Sequence, residues 1–195
     1  VELDRTGNLF GALSLVIADR TGDAIAGAAD RSESAAAALS ALLHFLDRPS
    51  VDLLRRVLGL TSSGTVRLLD RLQDAGYVER GPGTDGRSTA VSLTPEGRRA
   101  AQRVAAARAE VLQGALATLT PAERRALELL TAKILTGLIR EPGATRWICR
   151  LCDTHACGRH TGECPVGNAA LERYRPPPPR GHGPDPSPSP GPDPG

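Results

Sequence analysis

A mainly α-helical fold interrupted by a single β-hairpin is predicted by three observations. Leu, Val, Ile and Ala recur at helical spacing from about residue 8 to residue 140. The period changes to strict alternation only around residues 77–93, on either side of a Gly/Pro-rich turn. Ser, Thr, Pro and Gly stand where helices start and stop. The 195 residues, 40% hydrophobic and 24% charged, are enough for one core with extensions. Aromatic residues make up only 3%, which argues against a large aromatic-lined cavity or a base-stacking surface and leaves Leu, Val and Ala to fill the core. No apolar run approaches the roughly 20 residues that span a bilayer. Val1 to Gly11 carries no basic segment followed by an apolar one. A soluble, cytoplasmic chain with no membrane partner is therefore expected.

The first helix is expected over Asn8 to Ala29 and the second over Ser32 to Leu46, with Leu39, Leu42, Leu43 and Leu46 at helical spacing. Arg48-Pro49-Ser50 stops the second and caps a third, Val51 to Leu58, which ends at Gly59 in a left-handed cap. Thr61 or Ser62 caps a fourth helix, roughly Ser63 to Ala75, with Val66, Leu69 and Leu72 on one face and Gly76 closing it. Tyr77 to Arg80 and Thr89 to Leu93 form the hairpin around the turn Gly81 to Arg87. Thr94-Pro95-Glu96 opens a long helix to about Ala117, and Thr120-Pro121-Ala122-Glu123 launches another through a capping box. That last helix carries Leu127, Leu130, Ile134 and Leu138 as one stripe. Glu141-Pro142-Gly143 ends the globular pattern, and from Pro176 a Pro/Gly/Ser/Asp tail lacks the apolar surface to fold.

Short helix, Gly-containing turn, second helix and hairpin together make a winged helix-turn-helix with a helical dimerisation region around it. Formal charge is only +2, yet Arg48 to Arg103 holds ten Arg against six acids, a local excess of four positive charges suited to a phosphate backbone. Ser62, Ser63, Thr65 and Arg67 fall on or near the exposed side of the second motif helix, where hydroxyls permit close approach and Arg67 reaches guanine or phosphate. Arg67 and Arg71 also have Asp70 and Asp74 within helical reach, so intrahelical pairing is the competing expectation. Arg87, at a Gly-flexed hairpin tip, suits a narrow minor groove. Arg98 and Arg99 lie at a helix start, where the macrodipole disfavours cations, which suggests an external anion.

The stretch LGLTSSGTVRLLDRLQDAGYVERGPGTDGRSTAVSLTPEGRR, Leu58 to Arg99, resembles the multiple-antibiotic-resistance regulator (MarR) family of dimeric winged-helix transcription factors. It carries the D-x-R wing signature as Asp85 and Arg87 and the L-T-x-x-G turn as Leu93 to Gly97. The resemblance covers about residues 8 to 140. It implies base or phosphate contacts from Ser62, Ser63, Thr65 and Arg67, a wing arginine at Arg87, and Asp85 orienting the wing. The first and last two helices would then form a two-fold dimer interface. Thr61 and Arg71 complete the candidate DNA-binding set. Two departures have consequences. Arg55 replaces a small residue at the helix crossing, so that helix shifts or Arg55 turns outward. Gly64 lies in the first turn of the recognition helix and weakens it unless close contact needs the room.

All four cysteines fall in one 16-residue window, Cys149-x2-Cys152-x4-Cys157-x6-Cys164, with His155 and His160 between. In a cytosolic chain this pattern points to a four-thiolate zinc site, an iron–sulfur cluster, a disulfide switch or unliganded thiols. Cys149-Arg-Leu-Cys152 has the tight spacing zinc uses, and Cys164-Pro165 matches the ending of ferredoxin-type cluster motifs. With four thiols at hand the two His are expected outside the ligand set, and Trp147 is expected to anchor the cluster on the last helix.

The chain therefore divides into N-terminal dimerisation and support helices (1–47), a DNA-binding lobe (48–99), C-terminal dimerisation helices (100–141), a four-cysteine metal or redox module (146–166) and a disordered Pro-rich tail (176–195). The expected function is a homodimeric, sequence-specific regulator, most simply a repressor, on a pseudo-palindromic double-stranded operator. It would respond to a small-molecule effector or to the metal or redox state of the cysteines. The alternative is a metal-dependent protein-interaction adaptor using the winged helix and the Pro-rich tail. An enzyme has little support, since the chain has neither a Gly-rich phosphate loop nor a His/carboxylate pair with metalloprotease spacing.

Overall fold

The structure, a computed structural model, describes residues 2–28, 32–83 and 88–174. Helix α1 (Arg5–Ala28) lies along α5 (Pro95–Leu116), and both pack on α2 (Glu33–His44). Ser32 caps α2 through its hydroxyl, and Ala35 to Leu42 are all buried. Short side chains let neighbouring helices approach this one from several sides, which makes α2 the axis of the core. The core joins Ile25, Leu39, Leu42, Leu54, Leu68, Leu69, Leu72, Val78, Val91 and Val104, so every element from α1 to α5 contributes to it.

Local chemistry fixes the next elements. Ser50 accepts the Leu53 N–H to start α3 (Val51–Leu58), and Gly59 ends it at φ 65°, in the left-handed region. Thr61 accepts the Gly64 N–H at 3.1 Å and opens α4 (Ser62–Asp74). An added Cβ on Gly64 would sit 3.0 Å from the Thr61 hydroxyl, so the close cap accounts for a glycine here. Strands β1 (Val78–Pro82) and β2 (Thr89–Leu93) pair antiparallel from Val78↔Leu93 to Pro82↔Thr89. A bridge between Ser50 and Ala90, with the Val91 N–H donating to the Pro49 carbonyl, ties the hairpin to the start of α3. Thr94 caps α5 and also donates to the Gly76 carbonyl. Gly97 is required beside it, because a Cβ there would collide with the Tyr77 carbonyl.

Helix α6 (Pro121–Gly137) begins with the expected capping box between Thr120 and Glu123 but buries none of its residues. Its Leu127, Leu130 and Ile134, with Leu138 just beyond its end, stand in solvent, as do Leu9, Phe10, Leu13 and Val16 of α1. The apolar stripe is real, but nothing among the described residues covers it.

Three expectations are corrected. On α4 the buried face is Thr65, Leu68, Leu69 and Leu72, and Val66 is 48% exposed. Glu141-Pro142-Gly143 does not end the packed structure: α7 (Ala144–Ile148) and α8 (Pro165–Arg173) follow, with α7 against α3 and α8 against α6. Ile139, Cys149, Cys164 and Val166 form a second, small core there. Arg99 needs no external anion, because it pairs with Glu96 at 2.7 Å; together with Arg103 it holds that carboxyl below its usual range. The wing tip (84–87) and the tail from residue 175 lie outside the described residues, so the expectations for Asp85, Arg87 and a disordered 176–195 segment are not addressed by the structure.

Candidate nucleic-acid interface and thiol cluster

Because α4 buries positions 65, 68, 69 and 72, its opposite face carries Ser62, Ser63, Val66, Arg67, Asp70 and Arg71 in solvent. Thr65 is the exception among the candidate contacts. It is fully buried, and its hydroxyl donates to the Thr61 carbonyl at 2.9 Å, so it stabilises the first turn and does not face outward. Thr61 is exposed, with its hydroxyl engaged as the cap. Val66 stands outward where Thr65 is expected: an exposed branched methyl pair of the kind that meets a thymine methyl.

The arginines divide by their partners. Asp70 is engaged by Arg80 of β1 at 2.6 Å, which fastens the hairpin to α4. That contact leaves Arg67 and Arg71 without an ion pair among the described residues. Arg55 turns outward and pairs with Asp52 at 2.9 Å, as the crowded crossing requires. At the hairpin base Arg48, the one non-Gly described residue with positive φ (41°), donates to the Pro82 carbonyl.

The cysteines are gathered by separate local devices. Cys149 ends α7, and the Cys152 N–H closes a turn on the Cys149 carbonyl at 2.9 Å. Cys164 caps α8, its sulfur accepting the Gly167 N–H at 3.3 Å. Between them a loop folded by Gly158 (φ 67°) and Gly162 (φ 76°) returns Cys157 to Cys164. The thiols thus gather in one small core, Cys149 and Cys164 buried within it and Cys152 and Cys157 packed against it, with Cys157 Sγ donating to the Thr154 carbonyl at 3.7 Å. Among the described residues no three Cys, His, Asp or Glu side chains are already set in an arrangement for a metal ion. The hydrogen bond from Cys149, aided by Arg108 and Arg159 against the effect of burial, pushes Cys152 down to about 7. The same bond, with burial, pushes Cys149 up. Burial and the neighbouring Cys164 also push Cys157 up, against a hydrogen bond from the Arg159 backbone.

Besides α8 on α6 and an ion pair of Arg150 with Glu33 at 3.9 Å, this segment is fastened to the lobe through Leu151, Thr154 and Trp147. Leu151 packs on the main core, and Thr154, 2% exposed, donates to the His44 carbonyl at 3.1 Å. Since the Thr154 hydroxyl proton is committed there, His160 Nε2, at 3.0 Å, is the donor to its oxygen. Trp147 does not anchor on α6 as expected. Its indole lies at Gly59, 3.6 Å from where a Cβ would be, on the turn between α3 and α4, with the Arg150 guanidinium stacked 4.6 Å from the ring. Sequence reasoning missed this contact, although a left-handed Gly at the motif turn and a lone Trp were both visible.

Residues 30–88 match the family model described as MarR family. No curated protein matches the chain significantly. Among solved structures, RV1404 from Mycobacterium tuberculosis is 22% identical, covering 72% of this chain and 97% of its own, with a TM-score of 0.60. A MarR-family transcriptional regulator from Silicibacter pomeroyi is 25% identical, covering 71% and 96%, with a TM-score of 0.55. A single-substitution mutant of Staphylococcus aureus MepR bound to an oligodeoxyribonucleotide is 18% identical, covering 69% and 99%, with a TM-score of 0.52. Among the described residues no helix is long and apolar enough to cross a membrane. Over residues 30–88, the stretch that carries α2, α3, α4 and the hairpin, the chain thus matches the MarR family, and its mainly helical fold with a two-stranded antiparallel wing is that of the solved MarR-like regulators.

Proposed function

We propose that the chain acts as a cytoplasmic homodimeric repressor that reads a pseudo-palindromic operator through α4. The observation that carries this reading is the exposed face of α4, where Ser62, Ser63 and Val66 flank Arg67 and Arg71, both without an ion pair among the described residues. Two guanidiniums with no ion pair among the described residues, on a helix that begins with small hydroxyls, suit entry into the major groove, with Arg67 toward a base edge and Arg71 toward a phosphate. Thr61 positions the helix start. Asp85 and Arg87 are assigned to the wing by the family resemblance, Arg87 to the minor groove and Asp85 to orienting it. A protein of the same fold, MepR, is the one bound to an oligodeoxyribonucleotide.

The dimer is supported by the uncovered apolar residues of α1 and α6, which a second copy would bury. Two recognition helices would then meet successive major grooves about 34 Å apart. The effector acts either as a small molecule, for which the cleft between α1 and α5 lined by Ile17, Thr21, Arg108 and Leu112 is the candidate, or through the state of the cysteines.

Duplex selection from a random library with the full chain, followed by a salt titration of the selected site, tests this. The expected result is a two-fold symmetric site whose log K falls linearly with log salt. A chain that enriches no sequence and shows no salt-dependent duplex binding would sink the reading and favour the interaction adaptor.

A further inference from the structure

Helix α7 lies outside residues 30–88, yet it packs on α3 and sets Trp147 against the turn between α3 and α4. The indole stands 3.6 Å from where a Cβ on Gly59 would be. From Gly59 to Ser62, the first residue of α4, the chain runs three peptide units, at most about 11 Å. A major groove about 12 Å wide brings a phosphate backbone along each side of a helix end seated in it. A long side chain that α7 carries outward beside Gly59 is therefore within reach of one of those backbones.

The cleft between α3 and α7 carries Arg55, Arg56, Leu60, Glu141, Arg146 and Trp147. Its arginines differ in their partners. Arg55 and Arg56 share a single acid, Asp52, at 2.9 and 3.2 Å. Arg146 is exposed and has neither an ion pair nor a side-chain hydrogen bond among the described residues, Glu141 included. Three guanidiniums thus stand against two carboxylates, and the surplus sits on Arg146. Its backbone is held in place by its neighbour: Trp147 lies on Gly59 on one side and under the Arg150 guanidinium on the other, while Arg150 also donates to the Trp147 carbonyl at 3.0 Å. A guanidinium fork projected from a fixed turn matches the oxygens of a phosphodiester.

We infer that α7 extends the DNA-reading surface: Arg146, with Arg55 and Arg56 beside it, takes a backbone phosphate of duplex DNA next to the groove that α4 enters, and Trp147 is the positioning residue that sets it there. The contact carries no base information; it adds affinity and fixes the register of the lobe on the duplex. Glu141, in the same cleft, opposes the phosphate and tempers the contact. The inference rests on the reading of α4 as the helix that enters the major groove, and adds to it a part of the chain that lies beyond the helix-turn-helix itself.

The test titrates the full chain onto its selected operator and onto an unrelated duplex of the same length, between about 50 and 200 mM salt. Arg146→Gln is expected to weaken both duplexes by the same factor, on the order of tenfold at about 0.1 M salt, and to lower the slope of log K against log salt by about 0.9 for each copy of the chain bound. Its thermal midpoint stays that of the wild type, because the side chain is exposed and unpartnered among the described residues. Arg146→Lys keeps the slope, and Glu141→Gln tightens both duplexes a few fold. If Arg67→Ala relaxes base preference while Arg146→Gln leaves affinity and slope unchanged, the operator reading stands and this inference falls. A loss confined to the operator would make Arg146 a base reader, and a slope in Arg146→Lys as low as in Arg146→Gln would make its role one of packing; either overturns the phosphate contact. A chain with no salt-dependent duplex binding overturns both readings together.

Discussion

The main core and the core of the cysteine segment are built on opposite principles. The first gathers aliphatic side chains from five helices and the hairpin, with Leu39, Leu54, Leu68, Leu69 and Leu72 all at 1% exposure or less. The second has two aliphatic residues and two thiols at its centre. Burial of apolar area stabilises one, at about 1.5–3 kcal/mol for each large aliphatic side chain. The other has little of that area and leans on the lobe, through Thr154 on the His44 carbonyl and Trp147 at Gly59. The difference teaches that the lobe is held by its own burial and the segment by what it packs against.

The largest expected effect breaks this contrast at the first core. Leu72→Ala removes a side chain with no solvent exposure at the junction of α4 with the rest, and should lower global stability by about 2–5 kcal/mol in urea unfolding. Val166→Ala in the second core should leave the global transition within about 1 kcal/mol and raise hydrogen exchange only across α7 and α8. Equal losses at the two sites would show one cooperative unit and remove the contrast.

Next in size is the surface that the first core positions. Arg67→Ala should weaken binding to the selected operator by about 1–3 kcal/mol and relax preference at one base pair, with no change in thermal midpoint. If the same variant weakens all duplexes evenly, Arg67 is a phosphate contact and sequence reading falls to Val66 and the hydroxyls.

A smaller effect is expected where the two regions meet. Gly59 holds a left-handed conformation beside Trp147, so Gly59→Ala should destabilise by about 1–2 kcal/mol through backbone strain, since the space for a methyl is ordinary contact at 3.6 Å. Trp147→Phe keeps the glycine and removes the indole. If the cysteine segment steadies the motif through this contact, both variants lower operator affinity; unchanged affinity in Trp147→Phe would show that the indole does nothing for the motif.

How far the sequence foretold this arrangement depends on the range of the interactions. The caps Ser50, Thr61, Thr94 and Thr120 and the stop at Gly59 act within four residues and stand where the sequence predicts. The face of α4 is misread from the sequence because hydrophobicity ranks Val66 above Thr65. Burial follows position on the helix, and a threonine whose hydroxyl bonds the carbonyl four residues back is readily buried. Leu68-Leu69 with Leu72 was the available signal for the correct face. The return of the cysteine segment was not legible, since Pro142-Gly143 signals a stop and Thr154 reaches His44 across 110 positions. The stripe on α6 was legible as apolar, and the described residues leave it uncovered.

The smallest expected effect is a pH dependence at the seam between the regions. His44 lies at the end of α2, where its carbonyl accepts the Thr154 hydroxyl and its imidazole sits near Asp153, His155 and Arg108. Burial lowers its pKa below 6.5, outweighing the opposing pull of Asp153 and reinforced by His155 and Arg108. The unfolded chain therefore takes up the His44 proton first, so stability is fully present above about 6.5 and declines as pH falls from there toward the folded value. Asp153 is lowered too, but within the acid range: burial alone would raise it, yet the N–H groups of His155 and Ala156 and the charges of His44 and His155 hold it below 3.8, so its contribution is lost only in stronger acid. Thermal unfolding at about pH 7.5 and about pH 5.5 separates the two. The midpoint of the wild type should drop more over this interval than that of His44→Gln, whose side chain does not titrate. Parallel drops would place the acid sensitivity elsewhere and leave the seam insensitive to pH.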